Sequence, residues 1–186
     1  MEEQLDILNE QRDKTGEVKG YNETHLLGLL HNTVHVWLMN RKGELLLQKR
    51  TKNKRIFPLH WDVSIGGHVS SGQITIEGAQ MEAREELGLN LAPEDFKYLF
   101  TLKEDNITKF NGEDWFEKGF NEVYLVRSDL EITEFKLAPD EIEEVRWMDK
   151  KEFEKWVRGK GEILAPHEEE YKKLLEYLSA EQINKI

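Results

Sequence analysis

One segment near the middle of the chain strongly predicts a helix with a defined start and end. Thr75 is a candidate N-cap residue, and Gly88 follows the last turn as a stop signal. Between them, apolar residues recur at steps of three and four: Ile76, Ala79, Ala83 and Leu87. The segment is therefore predicted to be an amphipathic helix whose apolar stripe faces a core.

The same helix carries three glutamates, Glu82, Glu85 and Glu86, at positions i, i+3 and i+4. This spacing predicts that they share one face, roughly opposite Ala79 and Ala83. Like charges at this spacing repel one another, and a bound divalent cation would compensate them. Because carboxylate oxygens are hard ligands, the preferred ion is Mg²⁺, with Mn²⁺ as the other candidate. A solvated acidic face is the alternative that the spacing alone leaves open.

Composition limits the expected partners. The 186 residues include 26 Lys and Arg against 37 Asp and Glu, which gives a net charge of -11. Such a field repels phosphate backbones and anionic lipids, so neither nucleic acid nor a membrane is an expected partner. The absence of cysteine excludes disulfides, thiolate zinc sites and a cysteine nucleophile.

The apolar runs fall far short of the ~20 residues that span a membrane, and residues 1–10 do not resemble a signal sequence. A cytoplasmic location is therefore expected. The sequence leaves the oligomeric state open, a homodimer included.

The rest of the chain mixes strands and helices in an irregular order. Strands are predicted at 5–10, 17–21, 34–40, 44–49, 99–103, 115–126 and 141–147, and helices at 151–157 and 168–178. A further strand at 61–65 is predicted to break at Gly66 and Gly67. This order favours an α+β fold, an α/β/α sandwich with a mixed sheet. One domain is expected over 1–186, with a strand pair and lead-in at 1–30 and C-terminal helices at 150–186.

The segment 67–89 follows a long and rigidly spaced pattern. It starts at Gly67 and closes with Glu82-Ala83-Arg84-Glu85-Glu86-Leu87-Gly88-Leu89. This segment resembles the signature box of the Nudix hydrolases. Two positions depart from the family pattern, since Gln73 stands where the family has its first glutamate and Met81 stands where it has arginine.

The resemblance implies a Nudix fold, a divalent ion at the box helix and hydrolysis of a diphosphate by water. The implied metal ligands are Glu82, Glu85, Glu86 and the Gly67 carbonyl, and the implied catalytic residues include Glu85 and Glu86. The ion would lower the pKa of water and neutralise charge on the phosphoryl oxygens. The lost glutamate and arginine cancel in charge, so their loss need not remove the metal site.

Beyond the box, residues 31–147 are also similar to one branch of this fold, type I isopentenyl-diphosphate isomerase. Two short segments in register with that enzyme are Gly67-His68 and Asn121-Glu122-Val123. By position, His31 and His68 match two metal histidines, and Glu122 matches a catalytic glutamate.

Two positions depart from the isomerase. Gly66 occupies the place of its catalytic cysteine, and Phe120 replaces a carboxylate ligand of its metal. The box glutamates Glu82 and Glu85, which the isomerase lacks, are present. The scaffold is therefore expected to be isomerase-like and the chemistry hydrolase-like.

Three side chains outside the box have alternative interpretations. Glu122 would be costly to bury without a partner, which favours a role as general base or additional metal ligand. His68 is predicted to bind metal or substrate, with capping of a loop as the alternative. For His31, a partly buried histidine bonded to a neighbour is the favoured interpretation.

Residues 49–55 form the one concentrated basic run in this acidic chain. Arg50 and Lys54 match phosphate-contacting positions of the resembled family, and a guanidinium can bind phosphate with two parallel hydrogen bonds. These two residues, with His68, are the predicted substrate-binding set. The alternative is a solvated loop.

The predicted function is Mg²⁺-dependent hydrolysis of a small diphosphate-containing molecule, such as a nucleoside diphosphate derivative. Isomerisation of an isoprenyl diphosphate is the alternative enzyme, opposed by the missing thiol. A non-catalytic nucleotide-binding module is the third hypothesis, favoured by Gln73 and Met81.

Overall fold

A mixed seven-stranded sheet forms the centre of the protein, in a computed structural model that describes residues 2–183. The strands of this sheet are β3 (His31–Met39), β4 (Leu45–Arg50), β5 (Trp61–Asp62), β6 (Ile65–His68), β7 (Lys97–Phe110), β8 (Glu113–Arg127) and β9 (Ile142–Met148). Their order is β5-β4-β3-β8-β7, with β6 paired to β3 and β9 paired to β4. β3 and β8 run parallel. A separate two-stranded sheet contains β1 (Gln4–Leu8) and β2 (Lys14–Gly20).

Helices cover both faces of the large sheet, which confirms the predicted α/β/α sandwich. They are α1 (Tyr21–Leu27), α2 (Thr75–Leu87), α3 (Lys150–Val157) and α4 (Glu168–Ile183). Successive residues of β3 point to opposite faces. Val36 and Leu38 belong to the core that includes Ala79 and Ala83 of α2, whereas Trp37 and Met39 belong to the core that includes residues of α3 and α4.

The β7–β8 hairpin is longer than the sequence predicts. Its strands reach Phe110 and Glu113, and the turn between them uses positive φ angles at Asn111 (53°) and Gly112 (86°). The Asn-Gly pair at this turn is a typical hairpin signal, which the predicted strands at 99–103 and 115–126 did not take into account.

Two local predictions are wrong. Gly66 and Gly67 do not break a strand, because both lie in β6 and pair with His35 and Val34 of β3. Thr75 is not the N-cap of α2, since the helix begins there and Ile74 occupies the cap position. The Ile74 backbone N–H donates to Glu77 Oε2 at 3.0 Å, and the Thr75 hydroxyl donates to Glu122 instead of capping the helix.

The predicted single domain over 1–186 stays a prediction. Met1 and residues 184–186 lie outside the described residues. Among the helices of residues 2–183, none combines the length and apolar character needed to cross a membrane.

Candidate active site

A cavity of about 780 Å³ lies between β6 and the basic run of residues 49–55. Six of the residues predicted for the site line it: Arg50, Lys54, Gly67, His68, Glu82 and Glu85. Glu86 lies directly behind this wall, because it bonds to the backbone of the lining residue Gly66. The structure therefore brings together the box helix, the glycine pair and the basic run, as the sequence predicts.

Gly67 has a steric reason to be glycine. A Cβ atom at this position would lie 2.0 Å from Glu82 Oε1, far inside van der Waals contact. Any side chain would therefore push the Glu82 carboxylate away from the strand. The glycine allows the close approach of helix α2 to β6.

Glu86 is buried, which the sequence did not predict. Its side chain is only 3% exposed, and Oε2 accepts hydrogen bonds from Gln48 Nε2 at 3.2 Å and from the Gly66 N–H at 3.1 Å. Burial raises the pKa of Glu86 to about 8, and the charge of Glu141 adds to this effect. The prediction that the glutamates lie opposite Ala79 and Ala83 is wrong here, since Glu86 is buried beside that apolar stripe.

Glu82 and Glu85 are more exposed to solvent than Glu86. Glu82 is half-buried and Glu85 is exposed at the rim. Burial raises the pKa of Glu82, and the charge of Glu86 raises it further. Two carboxylates that resist ionisation together are a suitable pair for a divalent cation, which would stabilise both charges.

The three glutamates do not form a closed cage. Within residues 2–180, whose side chains the structure describes, two groups of three residues have ligand atoms that all lie within 4.8 Å of one another, and the box glutamates are in neither. Mg²⁺ commonly binds through one or two carboxylates together with substrate phosphates. The residues present fit that open arrangement.

Arg50 and Lys54 face the cavity in different environments. Arg50 NH1 bonds to Asp62 Oδ2 at 3.1 Å, and the two side chains are 16% and 7% exposed. Lys54 Nζ bonds to Glu141 Oε2 at 2.8 Å in a more exposed pair. Arg50 is thus committed to a buried carboxylate, whereas Lys54 can turn toward a ligand at low cost.

These environments separate the expected effects of removing each base. The Lys54→Ala variant should raise KM about tenfold or more, the scale of one lost charge-assisted hydrogen bond, and change Tm little. The Arg50→Ala variant should lower Tm clearly, because it leaves the Asp62 carboxylate buried beside fewer donors. Steady-state kinetics and thermal unfolding of both variants test this difference, and equal Tm losses would contradict it.

Glu122 lies outside the cavity. Its carboxylate accepts hydrogen bonds from Arg12, Tyr124 and the Thr75 hydroxyl at the start of α2. Although burial opposes ionisation, these hydrogen bonds lower the pKa of Glu122. The structure therefore does not bring Glu122 together with the box glutamates, and it gives this residue a set of partners that neither predicted role includes.

The two positions that depart from the box pattern contact each other. Gln73 Nε2 lies 3.6 Å from Met81 Sδ, and the Ser70 N–H donates to Gln73 Oε1 at 3.1 Å. The neutral pair therefore keeps the loop before α2 connected to the helix without an ion pair.

His68, which lines the cavity, belongs to a group of three histidines, and sequence reasoning identified only part of this group. His25 on α1 joins His31 and His68, with one ligand nitrogen of each within 4.8 Å of the others. His25 and Trp115 stack with ring centroids 4.8 Å apart. Burial lowers the pKa of His31 to about 4 and that of His68 well below its usual value. Their neutral rings can accept a metal, whereas His25 lies in no sequence pattern that would have indicated it.

A second group was missed entirely. It consists of His35 on β3, Glu104 on β7 and His167 before α4, again with ligand atoms within 4.8 Å, and all three line the cavity. Burial disfavours a charge on His35, but the charge and hydrogen bond of Glu170 raise its pKa to about 9. The alternation of His31, Thr33 and His35 along one face of β3 is the only sequence signal for it.

The family model of the NUDIX domain matches residues 29–175. Nudix hydrolase 3 of Arabidopsis thaliana is 32% identical over 182 residues, which cover 95% of this chain and 23% of the plant protein. The uncharacterised Nudix hydrolase lmo0368 of Listeria monocytogenes is 32% identical over 162 residues, 87% of this chain and 88% of the relative. Isopentenyl-diphosphate Delta-isomerase of Escherichia coli is 29% identical over 152 residues, 79% of this chain and 77% of the enzyme.

Solved structures share the fold. A protein of Deinococcus radiodurans, DR0079, superposes with a TM-score of 0.72 over 92% of this chain and 98% of its own, at 24% identity. The NUDIX domain of Shewanella oneidensis NrtR, solved with ADP ribose, covers 82% of this chain and 87% of its own with a TM-score of 0.54, at 15% identity. The domain match and the curated relatives agree with the box residues that line the cavity, and the chain therefore belongs to the Nudix hydrolase family.

Proposed function

We propose that the protein hydrolyses a small diphosphate-containing substrate with Mg²⁺ as its cofactor. Nudix hydrolases generally use divalent metal ions, which supports the coarser part of this proposal. The observation that carries it is the pair Glu82 and Glu86, whose pKa values are raised mainly by burial at a cavity that also contains Arg50 and Lys54. Carboxylates for a cation and bases for phosphate oxygens meet in one place.

Each residue has a distinct role in this proposal. Glu82 and Glu86 would hold the ion from the α2 side, and Glu85 at the exposed rim would orient and deprotonate the attacking water. Lys54 would bind the phosphate that lies between the two walls. When bound, the ion supplies charge neutralisation on the phosphoryl oxygens and a lower pKa for water.

The substrate class is a nucleoside diphosphate derivative or a similar diphosphate. ADP ribose bound to a domain of the same fold supports this class without identifying the substrate. The rings of Tyr21 and Phe57 line the cavity, and such rings can stack on a base or another planar group.

The direct test is hydrolysis of a panel of diphosphate compounds with Mg²⁺ present or removed by a chelator. We expect release of a monophosphate product from at least one nucleoside diphosphate derivative, and loss of this release in the chelator. A folded, Mg²⁺-loaded protein that hydrolyses no member of the panel would favour the nucleotide-binding module.

The group of His25, His31 and His68 favours a second candidate, isopentenyl-diphosphate isomerisation. Two of these histidines match metal ligands of the isomerase. Against it, Gly66 has no side chain to serve as an acid, and Glu122 lies outside the cavity.

Proton exchange separates the two enzymes. With isopentenyl diphosphate and Mg²⁺ in heavy water, we expect no deuterium incorporation above background, because an acid and a base are not both available. Deuterium uptake at an enzymatic rate that disappears in Glu122→Gln would instead favour the isomerase.

A further inference from the structure

The cavity has a second wall whose chemistry differs from that of the box glutamates. His35, Glu104 and His167 each have one ligand atom within 4.8 Å of a ligand atom of the other two. They come from β3, β7 and the segment before α4, which are far apart in the sequence. Their convergence is a property of the folded chain.

Each of the two histidines has one ring nitrogen next to a different buried carboxylate. Glu170 Oε2 lies 2.7 Å from His35 Nδ1, and Asp62 Oδ1 lies 3.2 Å from His167 Nε2. Glu170 and Asp62 are 1% and 5% exposed. Each ring is thereby fixed, and in the site proposed below the opposite nitrogen, Nε2 of His35 and Nδ1 of His167, would bind the metal. Histidines that bind metals in proteins are almost always oriented by such a partner.

Further hydrogen bonds fix these carboxylates in turn. Glu170 Oε1 accepts from Trp37 Nε1 at 2.7 Å, and Asn121 Nδ2 lies 3.1 Å from Glu170 Oε2. Asp62 Oδ2 accepts from Arg50. The wall is therefore held rigidly from behind, as a preformed ligand site requires.

Gly66 keeps the approach to this wall open. A Cβ atom at this position would lie 3.0 Å from His35 Cδ2 and 3.4 Å from His35 Nε2. A larger side chain would therefore occupy the space in front of the ligand nitrogen. All three ligand residues also line the cavity, so exogenous ligands can reach the remaining coordination positions.

We propose that His35, Glu104 and His167 form a binding site for a first-row transition metal of the Zn²⁺ class, separate from the Mg²⁺ site of the box helix. Two imidazoles and one carboxylate are a set that Zn²⁺ uses with an open fourth position. Mg²⁺ prefers oxygen ligands. The two walls of one cavity therefore select different ions.

Titration of Co²⁺ into the full-length protein, with Mg²⁺ in excess, tests the site without any substrate. Co²⁺ replaces Zn²⁺ at nitrogen-rich sites and can be followed by its visible absorption. In the His167→Gln variant, we expect one fewer tightly bound Co²⁺ ion, with affinity at this site reduced about 100-fold. The Glu104→Gln variant, which keeps both histidines, should weaken the same ion at least tenfold. The scale is that of changes at metal ligands and their supporting residues.

The His68→Gln variant is the matched control, because it removes a histidine of the other group. It should keep the ion that His167→Gln loses. Circular dichroism and thermal unfolding verify that each variant is folded, and Glu104→Gln provides the test if His167→Gln is not. The proposal is overturned if wild type binds no Co²⁺ in excess Mg²⁺, if both site variants bind Co²⁺ like wild type, or if the signal disappears only in His68→Gln.

Discussion

Replacing Glu85 and Glu86 together with glutamine is expected to reduce kcat for diphosphate hydrolysis by at least ~100-fold, the scale of lost metal-based charge stabilisation. The double variant removes the proposed base at the rim and the buried Glu86 carboxylate, one of the two proposed to hold the ion. KM should change less, because Arg50 and Lys54 still line the cavity. Initial rates on the substrate that the panel identifies, at saturating Mg²⁺, measure the effect.

A control with the same charge change excludes a general electrostatic cause. Glu94 and Glu143 are exposed and do not line the cavity. The Glu94→Gln, Glu143→Gln double variant should retain wild-type kcat within about twofold. Similar losses in both double variants would remove the catalytic assignment of Glu85 and Glu86.

Glu86→Gln alone should stabilise the metal-free protein at alkaline pH. The raised pKa, about 8 against an ordinary value of 4.5, means that the folded state holds a proton that the unfolded state has released. Stability therefore falls as pH rises from 4.5 to 8. Glutamine retains an oxygen for the Gln48 and Gly66 donors and removes this cost. At pH 8 in chelator, Tm of the variant should exceed that of wild type by at least ~5 °C, since ~1 kcal/mol corresponds to about 2–4 °C in a domain of this size.

The difference in Tm should shrink at pH 5, where Glu86 of the folded wild type is protonated. Added Mg²⁺ should raise the Tm of wild type at pH 8 more than that of the variant, because the ion binds only the folded state and favours the carboxylate. The raised pKa of His35 also makes the stability depend on pH: its contribution is present below pH 6.5 and lost toward pH 9. This contribution is the same in both proteins, so it does not affect the difference in Tm. A variant with lower Tm than wild type at pH 8 would contradict the buried, costly carboxylate.

Local signals in the sequence sufficed to predict where the box helix ends and that its residues lie near Gly67. Gly88 has the positive φ of 69° expected for a helix stop, and Gly67, Glu82 and Glu85 line the same cavity because they lie within one short segment. Glu86 lies three positions after Ala83 and seven after Ala79, so the spacing itself places it beside the apolar stripe, and the prediction that put the three glutamates opposite that stripe missed this. The hydrogen bond that Glu86 accepts from Gln48 on β4, 38 positions away, has no such local signal.

Long-range contacts account for the other differences. The partners of Glu122 include Arg12, which is 110 positions away in the sequence. A single glutamate in a strand therefore resembles a catalytic residue until its surroundings are known. The wall of His35, Glu104 and His167 likewise has no local pattern, since three distant elements supply its ligands. Sequence reasoning finds groups that lie close along the chain and misses those that only the sheet brings together.

The glycine pair of β6 also bears on which changes in chain length the protein can tolerate. Gly66 faces His35 and Gly67 faces Glu82, so successive residues of one strand serve opposite walls of the cavity. Inserting or deleting one residue in β6 would exchange the two sides, placing a side chain against each carboxylate or imidazole that now has room. We therefore expect homologues of this protein to keep the same length at 65–68 and to vary in length at the turn of Asn111 and Gly112. An extra residue at this turn would lengthen a polar loop without moving either wall.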